Sequence, residues 1–198
     1  MKSDARRAHS SGSDSVWYLW HALVLLILGA SPTARASPST DPFAHGSRYW
    51  SVTAGVSHHE SIAWVYLTEL SVSYYLVDDL AIECGQVIGY VNANRTRPGA
   101  LGGQELGLRW HVTKGKRWST YLEALAGVVL QQSPLTDHSL RFNFDLRPGV
   151  GATYRFRDHL MLEGGFRWHH LSNARIHGKE HNFGYDAPMP YLGLKSSF

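Results

Sequence analysis

The sequence predicts an all-β protein: an eight-stranded antiparallel transmembrane β-barrel with a polar, packed interior. Three observations predict it. Apolar residues alternate with polar or small ones over long stretches, while helical periodicity is nearly absent. The polar side of that alternation mixes Glu and Arg with many glycines, which suits a crowded interior better than a solvated face. Short and long connections largely alternate, as they do between the periplasmic turns and outer loops of such barrels.

Composition narrows the class. The chain has 198 residues, enough for one domain; 18% are charged and 12% are Phe, Trp or Tyr. The net charge is +3 and no polybasic block occurs, so nucleic acid is not an expected partner. Cys84 is the only cysteine, which excludes an intramolecular disulfide, a CxxC motif and a cysteine-based zinc site. Its parity places it outward, as a small lipid-facing hydrophobe.

Residues 1–36 read as a secretory signal peptide. Lys2, Arg6 and Arg7 form a basic start, an apolar run follows through residues 17–30, and Ala34-Arg35-Ala36 fits the small-x-small cleavage pattern. The run is too short for a comfortable membrane helix, which needs about 20 residues. Residues 37–46 form an N-terminal segment, and 47–198 the barrel.

The first three strands, at 50–56, 64–76 and 80–90, alternate less cleanly than the rest. In the fourth, Leu106, Leu108, Trp110 and Val112 oppose Glu105, Gly107, Arg109 and His111. In the fifth, Trp118, Leu122, Ala124, Ala126, Val128 and Leu130 oppose Ser119, Glu123 and Gly127. The sixth, 140–156, is the clearest, broken only by Pro148, which marks a bulge or bend. In the seventh, Leu160, Leu162, Phe166 and Trp168 oppose Glu163, Gly165, Arg167 and His169. The eighth spans 188–198. The tight turns lie at 77–79, 114–116 and 157–158, the longer loops at 92–101, 131–139 and 173–187. The connection near 58–61 is shorter than the alternation predicts.

A soluble, lipocalin-like barrel would need the opposite arrangement, apolar inside and polar outside. Here Glu69, Glu83, Glu105, Glu123, Asp145 and Glu163 share the inner face with Arg109, Arg141, Arg147, Arg155 and Arg167. The apolar face therefore meets lipid, with aromatics toward the strand ends. Closure satisfies every backbone group in the membrane. Eight strands fill their own lumen, so a conducting pore is not expected.

His169-His170-Leu171-Ser172-Asn173 carries the chemistry. Residues i and i+2 of a strand share a face roughly 6–7 Å apart, a gap an imidazole can span to a serine hydroxyl. A general base can thus sit beside a weak nucleophile. His170 and Ser172 continue the outward parity of Leu160, Leu162, Phe166 and Trp168. They lie where the longest loop begins, at the cell-exterior rim if the N-terminus is periplasmic. That position suits an ester bond in an outer-leaflet lipid. An acid must hold the imidazole in its useful tautomer, and the loop offers Glu180 and Asp186. Asp186 fits better, because pairing of the last two strands as a hairpin returns it to the rim beside His170. The four histidines 169, 170, 177 and 181 make a poor metal set, since His169 faces inward, and no metal or organic cofactor is expected.

His170-Leu171-Ser172-Asn173, followed by Asn182-Phe183-Gly184-Tyr185-Asp186 and a Phe-terminated strand, resembles the PagL family of lipid A 3-O-deacylases. The likeness is specific from about residue 160 to Phe198 and architectural before that. It implies an outer-membrane barrel with Ser172 as nucleophile, His170 as base and Asp186 as orienting acid. It selects His170 over His169. Asn173 and Asn182 match the family's motif asparagines, and the likeness implies oxyanion binding by Asn182 with a backbone N–H near Arg175. The best-known member has Glu where Asp186 stands, and Gly is frequent where Arg175 stands. Arg175 also suits contact with a lipid A phosphate, which its planar fork fits.

The partners so implied are lipid A of lipopolysaccharide, the surrounding outer-membrane lipids, and the barrel-assembly machinery through Phe198; a homodimer is left open. The alternatives are a non-enzymatic adhesion or structural barrel, and an esterase acting on another surface lipid. Fold alone does not separate them.

Overall fold

A computed structural model describes residues 41–136, 139–176, 178–182 and 184–198. The expected signal peptide and residues 37–40 lie outside the described residues. The strands are β1 (Arg48–His59), β2 (Ala63–Val77), β3 (Leu80–Ala93), β4 (Gly99–Lys114), β5 (Trp118–Gln131), β6 (Phe142–Arg157), β7 (Leu160–Ser172) and β8 (Tyr185–Ser197). Each pairs antiparallel with its sequence neighbour, and β1 closes on β8 from Tyr49↔Ser197 to Gly55↔Tyr191.

Several strands exceed the stretch that alternation marks. The loop expected over 92–101 shrinks to 94–98, because β3 and β4 continue pairing to Val91↔Gly99. β8 begins at Tyr185, ahead of the expected start at 188. Pro188 and Pro190 both point outward on an otherwise regular strand. Pro148 makes no bulge. The β6–β7 register is the same on either side of it, Leu146↔His170 and Gly149↔Arg167, and only the rungs between are missing. A residue without an N–H removes a ladder bond without needing an extra residue. The true irregularities, at 75/77, 111/113 and 155/157, all lie beside the tight turns.

The outer surface is apolar, as the alternation requires. Ile88, Leu130 and Phe166 are each more than 60% exposed. In water such a surface would mark an aggregate; in lipid it is the ordinary state of a barrel. Cys84 has outward parity between Val72 and Leu106, yet only 2% of it is exposed, so larger neighbours cover it rather than leaving it to lipid.

The interior is layered. In its middle, Arg147 bridges Glu69 and Glu105. Arg167 joins Glu69 at 2.7 Å to Glu123 at 2.8 Å. Arg109 reaches Glu123 at 2.9 Å and also pairs with Glu163. Lys195 donates to Glu83 at 3.0 Å and to Ser73 at 2.8 Å. Every arginine of this layer holds at least two acids, the condition under which buried charge is tolerable. Glycines make the room: a Cβ on Gly151 would lie 2.5 Å from the Tyr121 ring. Arg141 is not part of this layer, because β6 starts after it and leaves it exposed. Arg155 sits at the inner mouth and donates to the Lys116 carbonyl.

Toward the outer end the lumen is apolar, which the polar-interior expectation did not include. Ile62, Val65, Leu67, Leu135, Leu171 and Met189 belong to one buried cluster there. At the opposite end the N-terminal segment folds into the mouth. Phe43 stacks on His111 with ring centroids 3.6 Å apart, and Asp41 pairs with Lys114 at 2.6 Å.

Candidate active site

β7 delivers His170 and Ser172 to the outer face because both continue its outward parity. β8 delivers Asp186, the direct register partner of His170. His170 Nδ1 lies 2.8 Å from Asp186 Oδ1, and His170 Nε2 lies 3.1 Å from Ser172 Oγ. A carboxylate only accepts, so it keeps the ring proton on Nδ1 and leaves Nε2 to accept from the serine hydroxyl. That arrangement can withdraw a proton from Ser172 Oγ. The His170 and Asp186 side chains are 35% and 46% exposed, so the site opens outward from the barrel rather than into it.

Of the two acids in the loop, Asp186 meets His170. The Glu180 carboxylate instead folds back over Gly178, within 2.3 Å of where a Cβ would stand there. His177 and Phe183 lie outside the described residues.

The turn after Ser172 is tied by its asparagines. Asn173 N–H donates to Asn182 Oδ1 at 2.9 Å, and Arg175 N–H donates to Asn173 Oδ1 at 3.0 Å. The Arg175 N–H expected near an oxyanion is thus directed at Asn173. Ala174 and Arg175 adopt φ of 52° and 60°, the left-handed region that glycine enters at less cost. The Arg175 side chain is exposed. With its oxygen accepting from Asn173, Asn182 keeps two amide hydrogens to donate.

Sequence reading missed two groups. Trp168 Nε1–H donates to Asp186 Oδ1 at 3.0 Å; its signal was its parity, two residues before His170. Behind the site, inside the barrel, Ser57 Oγ lies 2.8 Å from His169 Nδ1 and 2.9 Å from the Tyr185 hydroxyl. His169 Nε2 lies 3.4 Å from Asp145 Oδ1. These four come from four strands, so no local pattern joins them.

The fold is shared with the N-terminal barrel domain of Pseudomonas aeruginosa OprF, at 15% identity and a TM-score of 0.51, covering 78% of this chain and 98% of that one. It is shared with Neisserial surface protein A at 15% identity and a TM-score of 0.54, over 77% and 96% of the two chains. No curated protein sequence matches this chain significantly. The family model described as lipid A 3-O-deacylase (PagL) matches residues 34–195. A closed barrel with an apolar exterior, in this family, is a protein of the bacterial outer membrane. With a match over most of its length and this fold beneath it, the chain belongs to the PagL family of lipid A 3-O-deacylases.

Proposed function

We propose that the protein is an outer-membrane serine esterase that removes the 3-O-linked acyl chain of lipid A, with Ser172 as nucleophile, His170 as general base and Asp186 as the acid that orients it. One observation carries this reading. The Ser172–His170–Asp186 chain of hydrogen bonds, at 3.1 and 2.8 Å, lies on the lipid-facing surface at the loop end of β7. An ester in the outer leaflet can reach it without leaving the membrane interface.

The chemistry follows from the geometry. Ser172 Oγ attacks the ester carbonyl while His170 Nε2 takes its proton. Asp186 stabilises the imidazolium through Nδ1–H. The Asn182 amide donates to the developing oxyanion, a role left to its NH2 group by the bond from Asn173. Collapse breaks the bond to the sugar oxygen, which leaves as a hydroxyl with the proton from His170. Water, deprotonated by the same imidazole, then cleaves the acyl-enzyme and releases a 3-hydroxy fatty acid. No step needs a metal or organic cofactor.

The test is expression in a host with 3-O-acylated lipid A, with wild type beside Ser172→Ala, followed by mass analysis of the extracted lipid. Wild type should remove one hydroxyacyl chain and the variant none. An unchanged lipid A mass with wild type would sink the activity and favour a non-enzymatic barrel or another lipid ester. Chain loss that survives Ser172→Ala would sink the nucleophile.

A further inference from the structure

The Asp186 carboxylate is held from two directions by one strand. Both donors on its Oδ1 come from β7: His170 Nδ1–H at 2.8 Å and Trp168 Nε1–H at 3.0 Å. His170 is its register partner; Trp168 stands opposite Pro188, one outward position along. An aspartate at the end of an exposed strand has a freely turning carboxylate, and 46% of this side chain is exposed. One donor leaves the group free to pivot about that bond; a second donor on the same oxygen, from a different direction, narrows the pivot. Indole is suited to this, because it donates and cannot accept, so it never competes for the imidazole proton.

The surroundings of Trp168 point the same way. Its outward neighbours are Pro188 on β8 and, by the continuous β6–β7 register, Pro148 on β6. Neither offers a side-chain acceptor, and Asp186 does. An aromatic at this depth would serve as a membrane anchor whichever way its N–H pointed. Here the N–H is turned onto the catalytic carboxylate.

From this geometry we infer that Trp168 is a positioning residue of the esterase: its indole N–H fixes the Asp186 carboxylate so that His170 presents Nε2 to Ser172. The inference rests on the assignment of Ser172, His170 and Asp186 under Proposed function. It adds a fourth member that touches neither substrate nor the reacting atoms and acts through Asp186 alone.

The test is a double-mutant cycle in mixed micelles of detergent and 3-O-acylated lipid A, measuring kcat and KM for fatty-acid release. Trp168→Phe keeps a ring at the membrane surface and deletes the donor. It should lower kcat about tenfold, the scale of one hydrogen bond to a charged group, and leave KM unchanged. In an Asp186→Asn background the same substitution should cost nothing further, because the bond it removes has lost its charged acceptor. Heat-shifted gel mobility reports folding for each variant, and Trp168→Leu serves if the Phe variant misfolds. An unchanged kcat, an effect confined to KM, or an equal loss in both backgrounds would overturn the positioning role and leave Trp168 a lipid anchor. Ser172→Ala runs alongside: activity surviving there overturns the underlying assignment instead.

Discussion

The barrel wall carries two sets of serine, histidine and aspartate back to back. Outside stand Ser172, His170 and Asp186; inside stand Ser57, His169 and Asp145. The two histidines are adjacent in sequence, and strand parity sends one to lipid and the other to the lumen. Their wiring is reversed. Outside, Nε2 meets the serine and Nδ1 the acid; inside, Nδ1 meets the serine and Nε2 the acid. Access differs more sharply still. His169 is 1% exposed, beneath the apolar layer that includes Leu171 and Tyr185. The same three residue types thus meet on both faces, and only the outer set lies where a lipid substrate could approach it. The inner set joins β1, β6, β7 and β8 behind the rim. Tyr185 and His169, which belong to it, directly precede Asp186 and His170, so the two sets share strand backbone and face opposite ways.

Substitutions on the two sides can break this contrast. The largest effect is expected at Ser172: alanine there should reduce acyl release by roughly 10⁶-fold, whereas Ser57→Ala should leave turnover within about twofold. Equal losses in the two variants, measured as fatty-acid release, would erase the distinction. Next comes the acid. Asp186→Asn should lower kcat by roughly 10⁴-fold, because an amide can stabilise the wrong imidazole tautomer and cannot stabilise the imidazolium. A loss below threefold would show that His170 works without it.

The inner set should appear in stability rather than rate. Ser57→Ala strands the Tyr185 hydroxyl and His169 Nδ1, and should cost about 1–3 kcal/mol in urea-induced unfolding from lipid vesicles. The smallest effect lies at the opposite mouth. Partial burial pushes the Asp41 carboxyl up, but the Lys114 ammonium and the Phe43 N–H outweigh it and hold it below the usual carboxylate value. A depressed folded value means its contribution is present above the ordinary carboxylate range and fades as pH falls through that depressed value. Amide protection factors over residues 41–47, taken against the intrinsic exchange rate at each pH, should therefore fall on acidification below about pH 4, and Asp41→Asn should flatten that dependence.

Much of this was legible in the chain. Period-two alternation separates the lipid face from the lumen within each strand, and it carried His170 and Ser172 outward without any tertiary information. Glu69, Glu105, Arg147 and Arg167 were legible as interior for the same reason. The reading failed where a residue's fate depends on something other than its parity. Arg141 has inner parity but precedes the first paired residue of β6, so no strand carries it inside. Cys84 has outer parity but lies beneath larger neighbours. Pro148 lacks the N–H of a ladder rung, yet the register runs through it unshifted. Lys195 is inward and bonded to Glu83 at 3.0 Å, although lysine usually marks solvent.

Parity is a property of the backbone of one strand. The sequence by itself therefore determined which residues share a face, and hence that a histidine and a serine stand together toward lipid. Register and depth belong to pairs of strands and to closure of the whole barrel, and only the tertiary structure decided those. Pairing of β7 with β8 brought Asp186 rather than Glu180 to His170, and set Trp168 within reach of the same carboxylate. Closure brought Ser57 and Asp145, far apart in sequence, onto His169 behind them. Such contacts depend on which strands meet and how far each slides past its neighbour, and no local pattern of residues records either.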